Sequence, residues 1–274
     1  MMTDNSSEKN ELSELIHLIH TLTGINLTEQ KKTMIIRRIT PSMRTLGVTS
    51  ILEYCQEVQK SPELKQELIN VITTNETQFF RTKRIWEYFS NDYLKNWFEK
   101  NRGMELKIWS CASSSGEEPY SIAILCEEFK KHNKDFKYSI LATDIATDEL
   151  AKAEKGLFGE KQVLSILAKF PLNLEEYFLK KGNGENEIKP HLKQHIVFKQ
   201  HNLFGTLAQK TMYDLVFLRN VLIYFEKHDQ TKVITNIQEN LKNSAILILG
   251  ESESLNNQLP TLQYMAPLIY KKVG

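Results

Sequence analysis

The stretch KIWSCASSSGEEPYSIA, residues 107–123, decides the fold class because it has the layout of a buried strand, a tight loop and a helix start. The apolar run at Ile108 and Trp109 is typical of a buried strand, and small residues follow it. Phosphate-binding loops share this layout but avoid acids, because their backbone N–H groups meet an anion. Here Glu117 and Glu118 directly follow the only glycine. We therefore expect a ligand that combines a close backbone approach with acidic neighbours.

Around this stretch, strand-like segments alternate with helical patterns. The strand-like runs are 106–110, 138–143, 214–218 and 245–249, and the helical patterns are 119–132, 147–155 and 228–242. This alternation predicts an α/β fold, with a doubly wound, mostly parallel, Rossmann-like sheet covered by helices on both faces. Ligands bind such sheets in the crevice at the carboxyl ends of the strands.

The rest of the chain divides by its pattern. Residues 1–10 are polar and are expected to form a disordered tail. Residues 11–72 repeat apolar side chains at three- and four-residue steps, which predicts a small all-α domain. Residues 73–100 are expected to link it to the α/β domain, residues 101–274. The alternation breaks at about 157–201, where we predict an inserted antiparallel β-subdomain.

Composition and charge exclude several classes of function. A net charge of +1 gives no general attraction to nucleic acid or membranes. The three cysteines are odd in number and widely spaced, and no His or Cys pattern has metal-ligand spacing. No apolar run approaches the roughly 18 residues of a membrane span, and the polar N-terminus does not resemble a signal peptide. We expect a reduced, cytoplasmic, metal-free protein without nucleic-acid partners or direct membrane insertion.

Four polar segments fall at or near predicted strand ends and are expected to face one crevice. They are the loop with Glu118, the segment ending in Asp144 and Ile145, QHNLF at 200–204, and RNVLIY with Arg219, Asn220 and Tyr224. A fifth segment, NETQFFR at 75–81, lies at the domain junction. An acid in the place of Asp144 typically holds ribose hydroxyls, although it could also cap its strand. Glu118 could equally serve the dipole of the following helix.

The absent motifs narrow the choice of ligand. Neither G-x-G-x-x-G nor G-x-x-x-x-G-K-[ST] occurs, which disfavours a dinucleotide and a P-loop nucleotide. A ligand with adenine and ribose, no phosphate and a positive centre fits better. S-adenosylmethionine has these features, with S-adenosylhomocysteine as its product, and is our hypothesis for the cofactor.

The segments NETQFFR, WSCASSSGEEPYS, ATDI, HNL and RNVLIYF, in this order, resemble the CheR family of chemotaxis receptor methyltransferases. The resemblance extends from about Thr23 to near the C-terminus and includes TGINL and RRI. It implies a class I methyltransferase fold. It also implies a monomeric protein-glutamate O-methyltransferase that esterifies glutamates on the cytoplasmic helices of chemoreceptors.

The resemblance assigns roles to individual residues. The cofactor site it implies consists of Asn75, Thr77, Arg81, Cys111, Glu118, Asp144, Ile145, Asn202, Leu203, Arg219, Asn220 and Tyr224. Within this set, Asp144 would hold the ribose, and Asn202 and Leu203 would frame the adenine. Arg81 and Tyr224 would lie nearest the transferring methyl group as the catalytic residues.

The resemblance also implies a basic face that meets an acidic receptor bundle. The candidates are Lys31, Lys32, Arg37, Arg38 and Arg44. Pro41 is expected to interrupt this basic helix, which is often unbroken in the family. The inserted turn KGNGENE is shorter than in members that dock on a receptor tether, which predicts a tether-independent enzyme. In GESES, residues 250–254, Glu251 stands where relatives often carry histidine.

A glutamate substrate would need no general base. Its reference pKa of about 4.3 leaves it ionised near neutral pH, ready for in-line attack on the sulfonium methyl. Two alternatives remain at this stage, namely methylation of a nucleic acid or small molecule, and a non-catalytic adaptor. The near-zero net charge and the lack of an N/D-P-P-Y/F motif weigh against a base methylase, and Arg81 with Tyr224 weighs against an adaptor. A nicotinamide dehydrogenase comes last.

Overall fold

The N-terminal part of the chain is a helical domain in a computed structural model that describes residues 4–208, 210–255 and 259–273. Its helices are α1 (Asp4–Thr23), α2 (Lys32–Leu46), α3 (Ile51–Lys60) and α4 (Pro62–Ile72), with a 3-10 turn at Glu29–Lys31. Residues 4–10, predicted as disordered tail, are the first turns of α1, and residues 1–3 lie outside the described residues.

Local signals set the starts of α3 and α4. Ser50 and Glu53 form a capping box, in which the Ser50 hydroxyl accepts the Glu53 N–H at 3.1 Å. Ser61 caps α4 by accepting the Leu64 N–H at 3.2 Å, and Pro62 occupies the first helical position. These caps satisfy N–H groups that have no partner within the helix.

Helix α2 runs through Pro41 without interruption, so the predicted break is wrong. A proline in a helix interior removes one hydrogen bond and costs about 3 kcal/mol. The fully buried side chains of Ile35 and Ile39 anchor α2 in the core of the helical domain and offset this cost.

Arg38 joins α2 to the end of α4. Its Nη1 donates to the carbonyl oxygens of Val71, Ile72 and Thr73, at 3.3, 2.6 and 2.9 Å. Carbonyl groups at a helix C-terminus lack partners within the helix and carry the negative end of its dipole. Arg38 therefore acts as a cap for α4.

The described part of the α/β domain contains ten strands. They are β1 (Glu105–Cys111), β2 (Lys137–Asp144), β3 (Leu157–Gly159), β4 (Phe178–Lys180), β5 (Glu185–Ile188), β6 (Ile196–Gln200), β7 (Tyr213–Leu218), β8 (Leu241–Leu249), β9 (Leu262–Ala266) and β10 (Ile269–Lys272). Seven form one sheet in the order β6-β2-β1-β7-β8-β10-β9. The pairs from β6 to β8 are parallel, and β10 runs antiparallel to both of its neighbours. The predicted mostly parallel sheet is confirmed.

The remaining helices lie before the first strand or between strands. They are α5 (Lys83–Tyr88), a π-helical turn (Phe89–Tyr93), α6 (Leu94–Lys100), α7 (Glu117–His132), α8 (Thr147–Lys155), α9 (Glu160–Leu164), α10 (Pro190–Lys193) and α11 (Lys227–Gln238), with 3-10 turns at Leu174–Glu176, Gly182–Gly184 and Leu222–Tyr224. No helix among the described residues is long and apolar enough to cross a membrane.

Both faces of the sheet are covered, as β1 illustrates. Leu106 and Ile108 pack into one apolar cluster, whereas Trp109 and Cys111 pack into the cluster on the opposite side. A strand that is buried on both faces has a nearly continuous apolar sequence, because neither face meets water. This explains the apolar run in β1.

The predicted linker, residues 73–100, is packed against the sheet. The indole of Trp86 stacks on Phe217 of β7 with a centroid separation of 5.5 Å. The Tyr93 hydroxyl donates to the carbonyl oxygen of Asp214 at 3.0 Å. The junction between the domains is therefore fixed by the core.

The insertion contains the predicted small antiparallel sheet, with the strand order β3-β5-β4. Its extent differs from the predicted 157–201. Strand β6, at Ile196–Gln200, pairs in parallel with β2 at the edge of the main sheet. The strand pattern of this segment identifies a strand but contains nothing that selects its partner, so the prediction placed it in the wrong sheet.

The role of Arg38 gives a stability prediction. Arg38→Ala should lower the free energy of unfolding by about 1.5–3 kcal/mol, the range for hydrogen bonds to charged groups. Arg37→Ala, at an exposed position one residue earlier, is the matched control and should change it by less than about 0.5 kcal/mol. Urea denaturation followed by circular dichroism measures both. Equal effects of the two variants would show that the cap contributes nothing specific.

Candidate active site

A cleft of about 920 Å³, with its open mouth included, lies at the carboxyl ends of β1, β2, β6 and β7. Its lining residues are Thr23, Ile25, Thr73, Thr74, Asn75, Glu76, Thr77, Gln78, Arg81, Ala112, Ser114, Glu118, Asp144, Ile145, His201, Asn202, Leu203, Arg219, Asn220, Val221, Tyr224 and Phe225.

The loop after β1 forms one wall of the cleft. Ala112, Ser114 and Gly116 all have left-handed backbone conformations, with φ of 55°, 48° and 98°. A Cβ at Gly116 would lie 3.0 Å from the Ala153 Cβ, so a larger residue would push the loop away from α8. The small residues noted in the sequence therefore allow a compact turn whose backbone borders the cleft.

Glu118 and Arg219 form a buried ion pair beneath the cleft. Glu118 Oε2 accepts Arg219 Nη1 at 2.9 Å, and Glu118 Oε1 accepts the Ser110 hydroxyl at 2.8 Å. The side chains are only 12% and 2% exposed. The negative charge expected to complement a ligand is thus already balanced by a guanidinium. Arg219 Nε is buried and has no hydrogen-bond partner among the described residues.

Asp144 is held by the backbone around it. Its Oδ2 accepts the Ser114 N–H at 2.8 Å, and its Oδ1 accepts the Ala146 N–H at 2.9 Å. Burial raises the pKa of the Asp144 carboxyl above its ordinary value, although the backbone hydrogen bonds act in the opposite direction. Each carboxylate oxygen has a further lone pair, so the group can accept two hydroxyl donors from the cleft.

Arg81 lies on a strained turn. Its neighbours Phe80 and Thr82 have φ of 51° and 66°, a left-handed conformation that costs non-glycine residues about 1–3 kcal/mol each. Buried contacts hold this turn in place. The Ser121 hydroxyl accepts the Phe80 N–H at 3.0 Å, and the Arg81 carbonyl accepts Trp86 Nε1 at 2.8 Å.

The two predicted catalytic side chains border the cleft and are half-buried. Arg81 Nη1 donates to the Glu76 carbonyl at 2.9 Å, and the Arg81 carbonyl accepts Arg219 Nη2 at 2.8 Å. The Tyr224 hydroxyl has no hydrogen-bond partner within the described part of the chain, while the Tyr224 carbonyl accepts the Asn26 N–H at 2.8 Å. Arg81 is thus oriented by the backbone around it, and Tyr224 has a free hydroxyl.

The helical domain contributes directly to the cleft through Thr23 and Ile25. Sequence reasoning missed both as site residues, although they belong to the TGINL segment that carried part of the resemblance. Asn202 joins the domains, since its Nδ2 donates to the Leu22 carbonyl at 3.0 Å and its Oδ1 accepts the Phe204 N–H at 3.0 Å. Both polar atoms of the Asn202 amide therefore make hydrogen bonds within the protein.

Every predicted cofactor residue except Cys111 lines the cleft. Cys111 is fully buried in the apolar cluster with Trp109 and Leu218, and burial raises the pKa of its thiol well above the ordinary value. The residue that lines the cleft there is its neighbour Ala112. The left-handed turn at Ala112 redirects the chain after the strand, so alternation along β1 could not predict which residue reaches the cleft.

The predicted basic face is only partly available. Lys31, Arg37 and Arg44 are exposed, and Lys32 is half-buried. Arg38 is half-buried and caps α4, so its guanidinium is less available to a partner than the exposed cations. Positions 37 and 44 are two helical turns apart and lie on the same side of α2.

Comparison with known proteins covers both domains. The chain matches the CheR methyltransferase all-alpha domain over residues 10–73 and the CheR methyltransferase SAM binding domain over residues 75–268. It is 35% identical to the chemotaxis protein methyltransferase of Borreliella burgdorferi, covering 96% of this chain and 94% of that protein. It is 33% identical to chemotaxis protein methyltransferase Cher2 of Pseudomonas putida, covering 85% and 86%.

A third relative, chemotaxis protein methyltransferase 1 of Pseudomonas aeruginosa, is 34% identical over 85% of this chain and 86% of its own length. The matched SAM binding domain contains the cleft at the strand ends, so the cofactor is S-adenosylmethionine. The resemblance seen in the sequence motifs is confirmed. The chain belongs to the CheR family of S-adenosylmethionine-dependent chemotaxis protein methyltransferases.

Proposed function

We propose that the protein is a glutamate O-methyltransferase that forms methyl esters on the cytoplasmic helices of chemoreceptors. The observation that carries this proposal is Arg81, a half-buried guanidinium that borders the cleft on a strained, tightly held turn. A cation in this place suits an anionic acceptor such as a carboxylate. The names of the relatives give the chemotaxis context.

The residues of the cleft fit S-adenosylmethionine. Asp144 offers two oriented carboxylate oxygens for the ribose hydroxyls, and Ile145 and Leu203 offer apolar contacts for the adenine. Arg219 Nε is a buried donor without a partner among the described residues, which suits the carboxylate of the amino acid end. In this arrangement Glu118 orients Arg219 and balances its charge.

The reaction depends on positioning. Bound S-adenosylmethionine supplies a sulfonium methyl group that an ionised glutamate carboxylate attacks in line. No general base is required, because the glutamate is deprotonated near neutral pH. Arg81 holds one carboxylate oxygen and leaves the other as the nucleophile, and Tyr224 orients the substrate through its free hydroxyl. Orientation of this kind can lower a barrier by about 7–11 kcal/mol.

The exposed basic residues of the helical domain support an acidic partner. Lys31, Arg37 and Arg44 are exposed cations that can attract the acidic helical bundle of a receptor. The short link between β4 and β5 supports methylation without a tether peptide. We expect the enzyme to act as a monomer, with each cleft complete within one chain.

The proposal is tested by methyl transfer from labelled cofactor to receptor-bearing membranes. The wild type should produce label that mild alkali releases as methanol. Arg81→Ala should reduce kcat at saturating cofactor by about 100-fold, because misplacing a reactant by about 1 Å has effects of that size.

Arg84→Ala is the matched control, since Arg84 is exposed and only three residues away. It should leave kcat unchanged, and circular dichroism should verify the fold of both variants. An alkali-stable product would exclude an ester. Normal turnover by a folded Arg81→Ala enzyme would remove Arg81 from the catalytic site.

Asp144 should control cofactor affinity. Asp144→Asn replaces one carboxylate oxygen with an NH2 group. That group cannot accept a hydrogen bond from the Ser114 N–H or from a ribose hydroxyl. It should weaken S-adenosylhomocysteine binding by about 10–100-fold, as expected for a hydrogen bond to a charged group. Calorimetry measures the Kd, and Asp148→Asn, at an exposed acid in the same region, is the control.

The same Kd measurement can be repeated over a range of pH. Ribose hydroxyls favour the ionised carboxylate, so the wild-type protein should lose affinity as pH falls through the raised pKa of Asp144. Asp144→Asn should show a flatter profile, since it has no proton to gain at that position. Identical affinities and pH profiles for the two proteins would rule out a ribose role.

The basic face should control receptor affinity alone. Reversing Lys31, Arg37 and Arg44 to glutamate should raise the KM for receptor about 10-fold, with a smaller effect at high salt. The Kd for S-adenosylhomocysteine should stay unchanged. Reversal of Lys95, Lys100 and Lys134, three exposed lysines elsewhere, gives the same net charge as a control. Equal losses with both triple variants would show a general charge effect.

A further inference from the structure

A buried carboxylate that does not line the cleft holds the turn after β7. Glu253 Oε1 accepts the N–H groups of Val221 and Leu222, both at 2.8 Å. Its Oε2 accepts the Asn220 N–H at 3.0 Å and the Gly250 N–H at 2.6 Å. The residue is only 6% exposed. One carboxylate thus satisfies three consecutive backbone donors and a fourth from the end of β8.

The turn that Glu253 holds carries residues of the cofactor cleft. Asn220, Val221 and Tyr224 all line the cleft. Asn220 has a φ of 58°, a left-handed conformation that needs support from its surroundings. Three successive N–H groups that converge on an anion form a nest, and charge-assisted hydrogen bonds of this kind are about twice as strong as neutral ones.

Gly250 allows the two loops to approach. A Cβ at Gly250 would lie 2.7 Å from the Asn220 backbone nitrogen and 2.9 Å from Asn220 Nδ2. It would also lie 2.7 Å from Glu253 Oε2. Real Cβ atoms do not come so close to such atoms, so any side chain here would displace the turn. The first and fourth residues of GESES therefore act together on Asn220.

We propose that Glu253 is a positioning residue of the cofactor site, which acts through the backbone of residues 220–222 and depends on Gly250 for its approach. The proposal concerns cofactor binding and does not depend on the receptor substrate. Glu251, the residue of this motif that differs from many relatives, is exposed. Its side chain thus offers a comparison within the same turn.

Glu253→Gln tests the proposal with almost no change in shape. An amide keeps one acceptor oxygen and replaces the other with an NH2 group, so the two N–H groups that bind the replaced oxygen would face another donor. We expect the Kd for S-adenosylhomocysteine, measured by calorimetry, to rise at least 10-fold. Glu251→Gln, which removes the same charge two residues away, should keep the wild-type Kd.

A local spectroscopic signal separates positioning from general stability. In ¹⁵N-correlated NMR spectra, the amide protons of residues 220–222 should move upfield and exchange faster in Glu253→Gln. Amides of β1 should not move. A folded Glu253→Gln protein with the wild-type Kd, or a weakened Kd with unmoved amides at 220–222, would overturn the proposal.

Gly250→Ala provides an independent route to the same turn. It keeps the carboxylate but displaces Asn220, so it should also weaken S-adenosylhomocysteine binding at least 10-fold. If Glu253→Gln does not fold, Gly250→Ala alone tests the proposal. A wild-type Kd for S-adenosylhomocysteine in Gly250→Ala would contradict it. Normal S-adenosylhomocysteine binding with no receptor methylation would count only against the proposed substrate.

Discussion

The cleft depends on the buried ion pair between Glu118 and Arg219. Removing a charge from water costs several kcal/mol even after relaxation, so such a pair needs hydrogen bonds to its other donors and acceptors, of which the one to Arg219 Nε is supplied by no described residue. The Ser110 hydroxyl donates to the second carboxylate oxygen of Glu118. The Arg81 carbonyl accepts a hydrogen bond from the second guanidinium nitrogen of Arg219, Nη2. The pair therefore ties together helix α7, the turn after β7 and the turn that carries Arg81. A change that breaks one of these contacts affects all three segments.

The helical domain is bound to the same framework. Gln66 Nε2 donates to the Ile145 carbonyl at 2.9 Å, and Asn70 Oδ1 accepts the Thr147 N–H at 3.0 Å. Both contacts join α4 to the loop after β2, which lies at the predicted adenine and ribose end of the cleft. Arg38 fixes the C-terminal end of α4, after which residues 73–78 line the cleft. A partner that binds the helical domain thus contacts a body that is directly connected to the cofactor site.

Patterns local in sequence predicted most of the fold. Alternating strands and helices around the loop at 107–123 were sufficient for the parallel sheet, because buried parallel strands and amphipathic helices have distinct periodicities. The features that the sequence did not predict share a non-local cause. Strand β6 found its partner in β2, Arg38 found carbonyl groups about 35 residues away, and Pro41 was tolerated because of tertiary packing. None of these partners is visible from a segment's own residues.

The sequence identified most of the residues that line the cleft but not the contacts that they make. The polar segments at the predicted strand ends line one cleft, because parallel strands end on the same edge of the sheet. The resemblance placed Cys111 in the site, but the left-handed residue that follows it, Ala112, lines the cleft instead. The role of Glu253 was not predicted, because its binding partners are backbone N–H groups more than 30 positions earlier in the chain. A single acid near a glycine does not indicate such a contact.

The acids around the cleft have a common structural task. Left-handed, non-glycine residues concentrate in the cleft loops, at Phe80, Thr82, Ala112, Ser114 and Asn220. Each costs about 1–3 kcal/mol and persists only where surrounding contacts fix it. Asp144 holds the Ser114 N–H, Glu253 holds the Asn220 N–H, and Glu118 orients Arg219, which holds the turn between Phe80 and Thr82.

These carboxylates therefore stabilise loop conformations that the sequence alone would not favour. This explains why acids follow the small-residue loop, where a phosphate-binding loop would exclude them. A cofactor without phosphate leaves the backbone N–H groups of the cleft free to bind protein carboxylates. The protein can then use buried negative charge to organise its loops, and the guanidinium of Arg81 is left as a cation at the border of the cleft.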